Sequence, residues 1–492
     1  MEKKGARRHE LLERLEEAGG LRPGLAREIS AETGVPEADV YGVATFYGLI
    51  ARPGARICQG LSCRLARADT PEDIEAVSCL GQCDRAPVAL DGDMGVLGGE
   101  RGVVLPDDPD LPINLGGEDD RSFARLTAAR AMGRDAFFAE LEVSGLQGRG
   151  GAGFPASIKW DAVLREGAAT KHVVVNADEG EPGTFKDREV MLRRPHRLIE
   201  GMAIAAWFVG ADTAHVYIRG EFHQPRLQLE RALAEAKPRL GSLDVRVVTG
   251  HGAYICGEET ALLEAMEGRR GMPRLKPPYP TEAGLFGLPT LINNVETLAC
   301  VPSIVERGGA WFRERGRTEP GTKLYCISGH VQTPGVYELP LGSTMNELVA
   351  AAGGPLGAPR AFSPGGASSG FLPMSMADVP LDFKGLVEVG SMLGSAGAVL
   401  LNDTVDMARA ARWQQVFFED ETCGQCAPCR IGCSLQRSAI DRFLASRDPA
   451  TLEHVEEVHW EMEEGSICGL GMVASLPLVS AMKHFPEDFG SS

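Results

Sequence analysis

His172-Val173-Val174-Val175-Asn176-Ala177-Asp178-Glu179-Gly180-Glu181-Pro182-Gly183 is the stretch from which the rest of the chain can be read. An apolar strand runs directly into three carboxylates flanked by an amide and two glycines. Two further apolar strands follow, Ala214 to Ile218 and Val245 to Val248, and helical stretches from Arg194 to Val209 and Gln224 to Ala236 alternate with them. Strand–helix alternation of this kind predicts an α/β sheet layer. In such layers the site lies beyond the carboxyl ends of the strands, which is where Asn176, Asp178, Glu179 and Glu181 fall. Their oxygens suit ring N–H groups or ribose hydroxyls.

Upstream, a helix expected over Phe123 to Leu141 leads into Gly148-Arg149-Gly150-Gly151-Ala152-Gly153-Phe154-Pro155. The loop follows a helix, so it is not the dinucleotide fingerprint, which leaves a strand. Its glycines still let backbone N–H groups crowd an anion, and Lys159 can add a cation. Downstream, Gly250 to Glu259 supplies Tyr254, Glu258 and Glu259 ahead of a helix, and Arg274 to Pro280 supplies Lys276 and Tyr279. Each piece alone reads equally well as solvated surface; together in one α/β unit they describe a site.

The cysteines form two sets. Cys423-x2-Cys426-x2-Cys429, with Cys468 following after 38 residues, is the spacing of a [4Fe–4S] cluster with a remote fourth ligand. Cys433 lies outside the period and reads as a small buried residue. Cys58-x4-Cys63 and Cys79-x3-Cys83, 15 residues apart, suit two irons, a [2Fe–2S] cluster, with zinc as the alternative.

Composition bounds the whole. The 492 residues suggest about three domains. A formal net charge of −18 argues against nucleic acid as a partner. The best apolar run, Met202 to Ala211, is about half of the ~20 residues a membrane span needs. No signal segment is apparent at Met1 to Lys4. The chain is expected to be cytoplasmic, at most peripheral on the cytoplasmic face of a membrane complex, where thiols ligate metals more often than they form disulfides. The pattern divides it into a helical segment 1–50, a cysteine-bearing region 51–105, an acidic proline-punctuated linker 106–120, the α/β unit 121–320, a small α+β module 321–402 and a helical region 403–492. The linker suggests that the two ends fold independently.

These motifs have a family likeness. Residues 120–492 resemble the NADH-binding, 51 kDa-type flavoprotein subunit of respiratory complex I, a family that includes diaphorase subunits of NAD-linked hydrogenases and formate dehydrogenases. The matching motifs are Gly148 to Pro155, Asn176 to Arg188, Ala253 to Leu263, Arg274 to Pro280, Ile292 to Thr297 and the C-terminal cysteines. Residues 20–105, led by Val40-Tyr41-Gly42-Val43-Ala44-Thr45-Phe46-Tyr47, resemble the thioredoxin-like [2Fe–2S] subunit that partners it. The resemblance implies a multidomain α/β fusion: a thioredoxin-like ferredoxin region, an FMN/NADH-binding domain, a small ubiquitin-like or SLBB module and a C-terminal helical bundle holding [4Fe–4S].

It further implies FMN held by Gly148, Arg149, Gly150, Gly151 and Gly153 with Lys159, Asn176, Asp178, Asn293 and Asn294. NADH is implied near Phe154 and Tyr279, with Glu181, Glu259 and Lys276 around it; Glu179, Tyr254 and Glu258 complete the cofactor-binding set. Two departures stand out. Ala162 occupies the place of a second adenine-stacking aromatic, and the 15 residues between the N-terminal cysteine pairs are fewer than the family uses.

A nicotinamide gives up two electrons as hydride and an iron–sulfur cluster takes one, so a flavin belongs between them. The expected activity is therefore NADH/NAD+ oxidoreduction that serves another component of a redox complex, with positioning groups and no catalytic base. The alternative is a non-redox, zinc-binding docking subunit.

Overall fold

The computed structural model describes residues 7–67 and 74–490. The expected spacer between the N-terminal cysteine pairs lies partly outside these residues. The chain opens with short helices, Leu11–Glu17, Leu25–Thr33, Glu37–Ala44 and Gly48–Ala51. A four-stranded sheet follows, from β1 (Arg56–Cys58), β2 (Glu75–Val77), β3 (Ala89–Leu90) and β4 (Val96–Leu97), in the order β2-β1-β3-β4. β1 and β2 are parallel across the helix Leu61–Ala66, and β3 and β4 form an antiparallel hairpin.

β5 (Val103–Leu105) leaves this sheet altogether. It pairs in parallel with a strand more than two hundred residues on, Gly335 lying opposite Val103. Glycine is required there, because a Cβ at 335 would lie 2.3 Å from the Val103 carbonyl oxygen. The cysteine region expected to run to residue 105 therefore gives up its last strand to the α+β module.

The central layer is an all-parallel sheet in which the three strands expected from the sequence are β6 (His172–Ala177), β7 (Thr213–Ile218) and β8 (Asp244–Thr249), joined by a fourth, β9 (Thr290–Asn294), in the order β8-β7-β6-β9. Side chains alternate across it. Val173 and Val175 pack against the helices Pro195–Val209 and Val295–Arg307 on one face. Val174, Tyr217 and Ile292 meet the N-terminal helices and Glu259–Met266 on the other. The N-terminal segment is stitched down by the Tyr47 hydroxyl on the Arg269 carbonyl at 2.6 Å, and by Gly48 and Leu49 N–H on Gly252 and His251 carbonyls at 2.9 Å.

The third layer carries β10 (Thr322–Gly329), β11 (Gly335–Pro340), β12 (Pro359–Ser363), β13 (Leu372–Pro373) and β14 (Gly397–Asn402) in a six-stranded sheet with β5 at its edge. Helices Met407–Glu421, Ala427–Ser446, Val455–Gly465, Gly469–Val473 and Leu476–His484 complete the chain. Among the described residues no helix is long and apolar enough to cross a membrane.

Several expectations are corrected. The helix expected over Phe123 to Leu141 is two, Ala124–Met132 and Arg134–Ser144, broken where Gly133 takes φ 85°. The expected linker is exposed only in its acidic part. Ile113 and Leu115 are buried, and the Ile113 and Asn114 N–H groups donate to Glu338 at 3.0 and 2.7 Å. The two ends are not independent either: Cys58, Cys63, Cys79 and Cys83 share one hydrophobic core with Val173, Val175 and Phe185.

Candidate functional site

The site is built where β6 and β9 end side by side. Their parallel register sets Val175 opposite Asn293 and Asn176 opposite Asn294. The glycine loop crosses above: a Cβ on Gly150 would sit 3.0 Å from Asn294 Cβ, and one on Gly153 (φ 64°) would strike the Phe383 ring. Glycine alone permits this approach.

Asn294 caps the helix Val295–Arg307 by accepting from Glu296 N–H at 2.9 Å, and its amide donates to Asp187 at 2.6 Å. Asp187 and Glu296 in turn hold the buried Lys186 at 2.8 and 2.9 Å, and Glu296 also takes Lys323. This paired, hydrogen-bonded network fixes the floor rigidly. Asn293 accepts the Trp160 indole N–H at 2.8 Å, and Asn176 donates to the Gly257 carbonyl at 2.8 Å.

Two shielded oxygens bond to nothing in the protein: Asp178 Oδ2, beside Gly257, and Gln147 Oε1, at the base of the glycine loop where Gln147 pairs with Pro155. Buried polar atoms are normally satisfied, so each of these oxygens is available to a polar ligand. Burial pushes Asp178 up to about 8.

The charged wall lies beside it. Lys159 Nζ reaches Glu259 at 2.8 Å and the Ile292 carbonyl at 3.1 Å; Lys276 reaches Glu258 at 3.0 Å and Glu259 at 3.2 Å. Burial alone would raise the Glu259 carboxyl, but the two lysines hold it below its ordinary value. Glu258 caps its helix through the Thr260 and Ala261 N–H groups. Phe154 and Tyr279 are about half exposed.

Glu181 is held by three donors: the Tyr254 hydroxyl, Ser368 N–H at 2.8 Å and Ser368 Oγ at 3.1 Å. Burial raises its carboxyl. Ser368 comes from the α+β module and carries no signal in the sequence; only the fold brings it here.

Two expected site residues point elsewhere. The Arg149 guanidinium is fully buried and donates to the Pro320 carbonyl at 2.7 Å. Glu179 accepts from Asp187 and Arg188 N–H at 2.9 and 3.0 Å, closing the turn into the next helix.

The N-terminal thiols converge. Cys79 Sγ is 3.8 Å from Cys83 Sγ, and Cys58 touches both Cys63 and Cys79. Backbone N–H groups are aimed at the sulfurs: Gly60 at Cys58 and Gly81 at Cys79, both 3.4 Å, and Gly183 at Cys83, 3.3 Å. Contact with the Cys58 thiol, with burial adding, pushes Cys79 up to about 12. The sequence motif missed how this loop is gripped. Arg188 donates to the Gly81 carbonyl, Gln82 and both oxygens of Asp84, at 2.6 to 3.1 Å, and Arg219 to the Cys79 and Glu179 carbonyls.

In the C-terminal set Cys429 contacts Cys426 and lies within electrostatic reach of Cys423 and Cys468. Leu470 and Gly471 N–H groups turn toward Cys468, and burial pushes it up to about 11. A polar cavity of about 390 Å3 has Cys79, Cys423 and Asp178 in its lining, one thiol from each set. Among the described residues no three metal-type side chains converge as around a single ion; the thiols pack against each other instead.

Fold and site together define a nucleotide-binding α/β flavoprotein whose C-terminal cysteines are of iron–sulfur type. Residues 141–303 match the Nuo51 FMN-binding domain, 324–372 the SLBB domain, and 409–492 the NADH-ubiquinone oxidoreductase-F iron–sulfur binding region. The chain is 48% identical over 364 residues to the second F-type subunit of the NADH-quinone oxidoreductase of Rhizobium meliloti (strain 1021), covering 71% of this chain and 86% of that one. It is 43% identical over 375 residues to the mitochondrial NADH dehydrogenase [ubiquinone] flavoprotein 1 of Dictyostelium discoideum, covering 72% and 78%. A chain in the crystal structure of an NAD+-reducing [NiFe]-hydrogenase in the H2-reduced state superimposes with a TM-score of 0.89 at 30% identity, over 99% of this chain and 94% of that one. The chain belongs to the family of 51 kDa-type NADH-binding flavoprotein subunits, which includes the F-type subunits of NADH-quinone oxidoreductases. The zinc-scaffold alternative is not favoured by these relatives.

Proposed function

We propose that this chain exchanges electrons between NAD(H) and another component of a redox complex, through FMN, a [4Fe–4S] cluster and a [2Fe–2S] cluster. The observation that carries this is the meeting of the glycine loop with the ends of β6 and β9, with the unsatisfied Asp178 and Gln147 oxygens in the adjoining segments, in a chain that also carries two thiol sets.

FMN, when bound, accepts hydride from a nicotinamide and releases single electrons. Gly150, Gly151 and Gly153 offer backbone N–H groups to it, with Asn176, Asp178, Asn293 and Asn294 beneath and Lys159 supplying a cation; Gly148 closes the loop instead, its N–H donating to the Phe154 carbonyl at 2.8 Å. Arg149 and Glu179 support this loop and floor from behind. Phe154 and Tyr279 offer ring faces to the nucleotide, and Glu181, Tyr254, Glu258, Glu259 and Lys276 orient it. None of these groups moves a proton during hydride transfer; their contribution is orientation. Cys423, Cys426, Cys429 and Cys468 hold the [4Fe–4S] cluster, and Cys58, Cys63, Cys79 and Cys83 the [2Fe–2S] cluster. One relative is named as a subunit of an NADH-quinone oxidoreductase and another comes from an NAD+-reducing [NiFe]-hydrogenase; the partner of this chain is accordingly another subunit of a multi-subunit redox complex.

The test is NADH oxidation with an artificial one-electron acceptor, using FMN-replete protein prepared anaerobically. Turnover with a flavin spectrum that bleaches on adding NADH is expected. Absence of both would overturn the reading.

A further inference from the structure

The C-terminal set has a fifth thiol. Cys433 lies one turn beyond Cys429 on the helix Ala427–Ser446, is fully buried, and places its Sγ 4.0 Å from Cys429 Sγ. It falls outside the CxxCxxC period, and Cys429 alone of the four ligands is buried; the other three are partly exposed. Cys429 also meets the Thr422 hydroxyl at 3.1 Å. That hydroxyl already accepts the Gly424 N–H at 3.3 Å, which leaves its own proton for the sulfur.

Resting on the reading that Cys423, Cys426, Cys429 and Cys468 are the ligands, we infer that Cys433 is a positioning residue whose S–H donates to the Cys429 sulfur and sets the reduction potential of the C-terminal cluster. A ligating sulfur is a thiolate and can only accept, so the proton of the pair belongs to Cys433. Hydrogen bonds to cluster sulfurs, and burial, are what tune such potentials. A donor stabilises the reduced, more negative state, so the cluster is easier to reduce with Cys433 in place. Thr422 acts on the same sulfur, which concentrates the tuning at the one buried ligand, where water competes least.

The experiment is an anaerobic redox titration of the whole protein, read by electron paramagnetic resonance of the reduced [4Fe–4S] signal. It is set at the potential where half of the wild-type cluster is reduced. C433A is expected to lower the reduced-to-oxidised ratio about three- to tenfold, tenfold being 59 mV for a one-electron couple. C433S, whose hydroxyl also donates, is expected within about twofold of wild type. An unchanged ratio in C433A overturns the inference, and so does a C433S shift as large as that of C433A. If C433A fails to assemble its cluster, C433S decides: assembly with the wild-type ratio supports the donor role, and a displaced ratio overturns it. Loss of the cluster in both Cys433 variants with retention in C429S makes Cys433 the ligand and overturns it too. A wild-type protein that shows no [4Fe–4S] signal overturns the ligand reading itself, and the inference with it.

Discussion

Asp178 sits at the end of β6 with one carboxylate oxygen bonded to nothing, and burial holds its pKa near 8. The folded chain therefore binds this proton far more tightly than the unfolded chain does. Its contribution to stability is complete below the ordinary carboxylate range and is lost as pH rises through about 8. In the cofactor-free protein, D178N should flatten the fall in Tm between pH 5 and pH 9; a wild-type slope in D178N would show that another group carries it. Glu181 makes the second prediction at this scale. E181A should raise the Kd for NADH about tenfold or more while FMN stays bound, since the lost hydrogen bonds involve a charged group. Loss of FMN with unchanged NADH affinity would reverse the two sites. The residue identities here were legible in the sequence, because a strand that ends in carboxylates beside a glycine loop is a local pattern. Their partners were not. Ser368 is almost two hundred residues from Glu181, in the short helical turn Ala367–Ser369, which nothing in the sequence ties to the site.

At the scale of elements, the positions of β6 and β7 followed from apolar runs, since burial on both faces demands them, and that of the edge strand β8 from a shorter one; β9, a strand of only five residues, was not read as a strand. Short elements were less legible. Gly133 splits a helix that the apolar spacing ran straight through, and β5 reads equally as the end of one region or the edge of another. What fixes β5 is the missing side chain at Gly335, so G335V should unseat it and destabilise the chain by roughly 1–3 kcal/mol, the usual cost of overpacking. Denaturant unfolding would measure this. The Cys79–Cys83 loop tests a different force. Arg188 is buried against Asp84, and R188A leaves that carboxylate without its guanidinium partner. A loss of about 3–5 kcal/mol is expected, together with weakening of the [2Fe–2S] signal; a signal and stability like wild type would mean the grip is incidental.

Across the whole chain, the two thiol sets should remain chemically separable although the domains share a core. C426S should remove the [4Fe–4S] signal and block electron exit to a protein partner, while a small acceptor still draws on the flavin. C63S should remove the [2Fe–2S] signal alone. Resonance spectra of the NADH-reduced variants decide, and loss of both signals in C63S would show that the shared core couples cluster assembly as well.

One dimension was enough to set the chemistry: which side chains are present, at what spacing, and at which ends of which strands. Cysteine period, glycine loops and strand-end carboxylates are local, and local patterns survive in a linear reading. How the parts meet was settled by folding. Folding laid the N-terminal helices over the second face of the sheet, moved β5 into the third layer, turned Arg149 and Glu179 inward, and closed Arg188 and Arg219 around the cysteine loop. Those outcomes depend on complementary burial and charge between segments far apart in the chain, and no window of sequence contains both halves of such a contact.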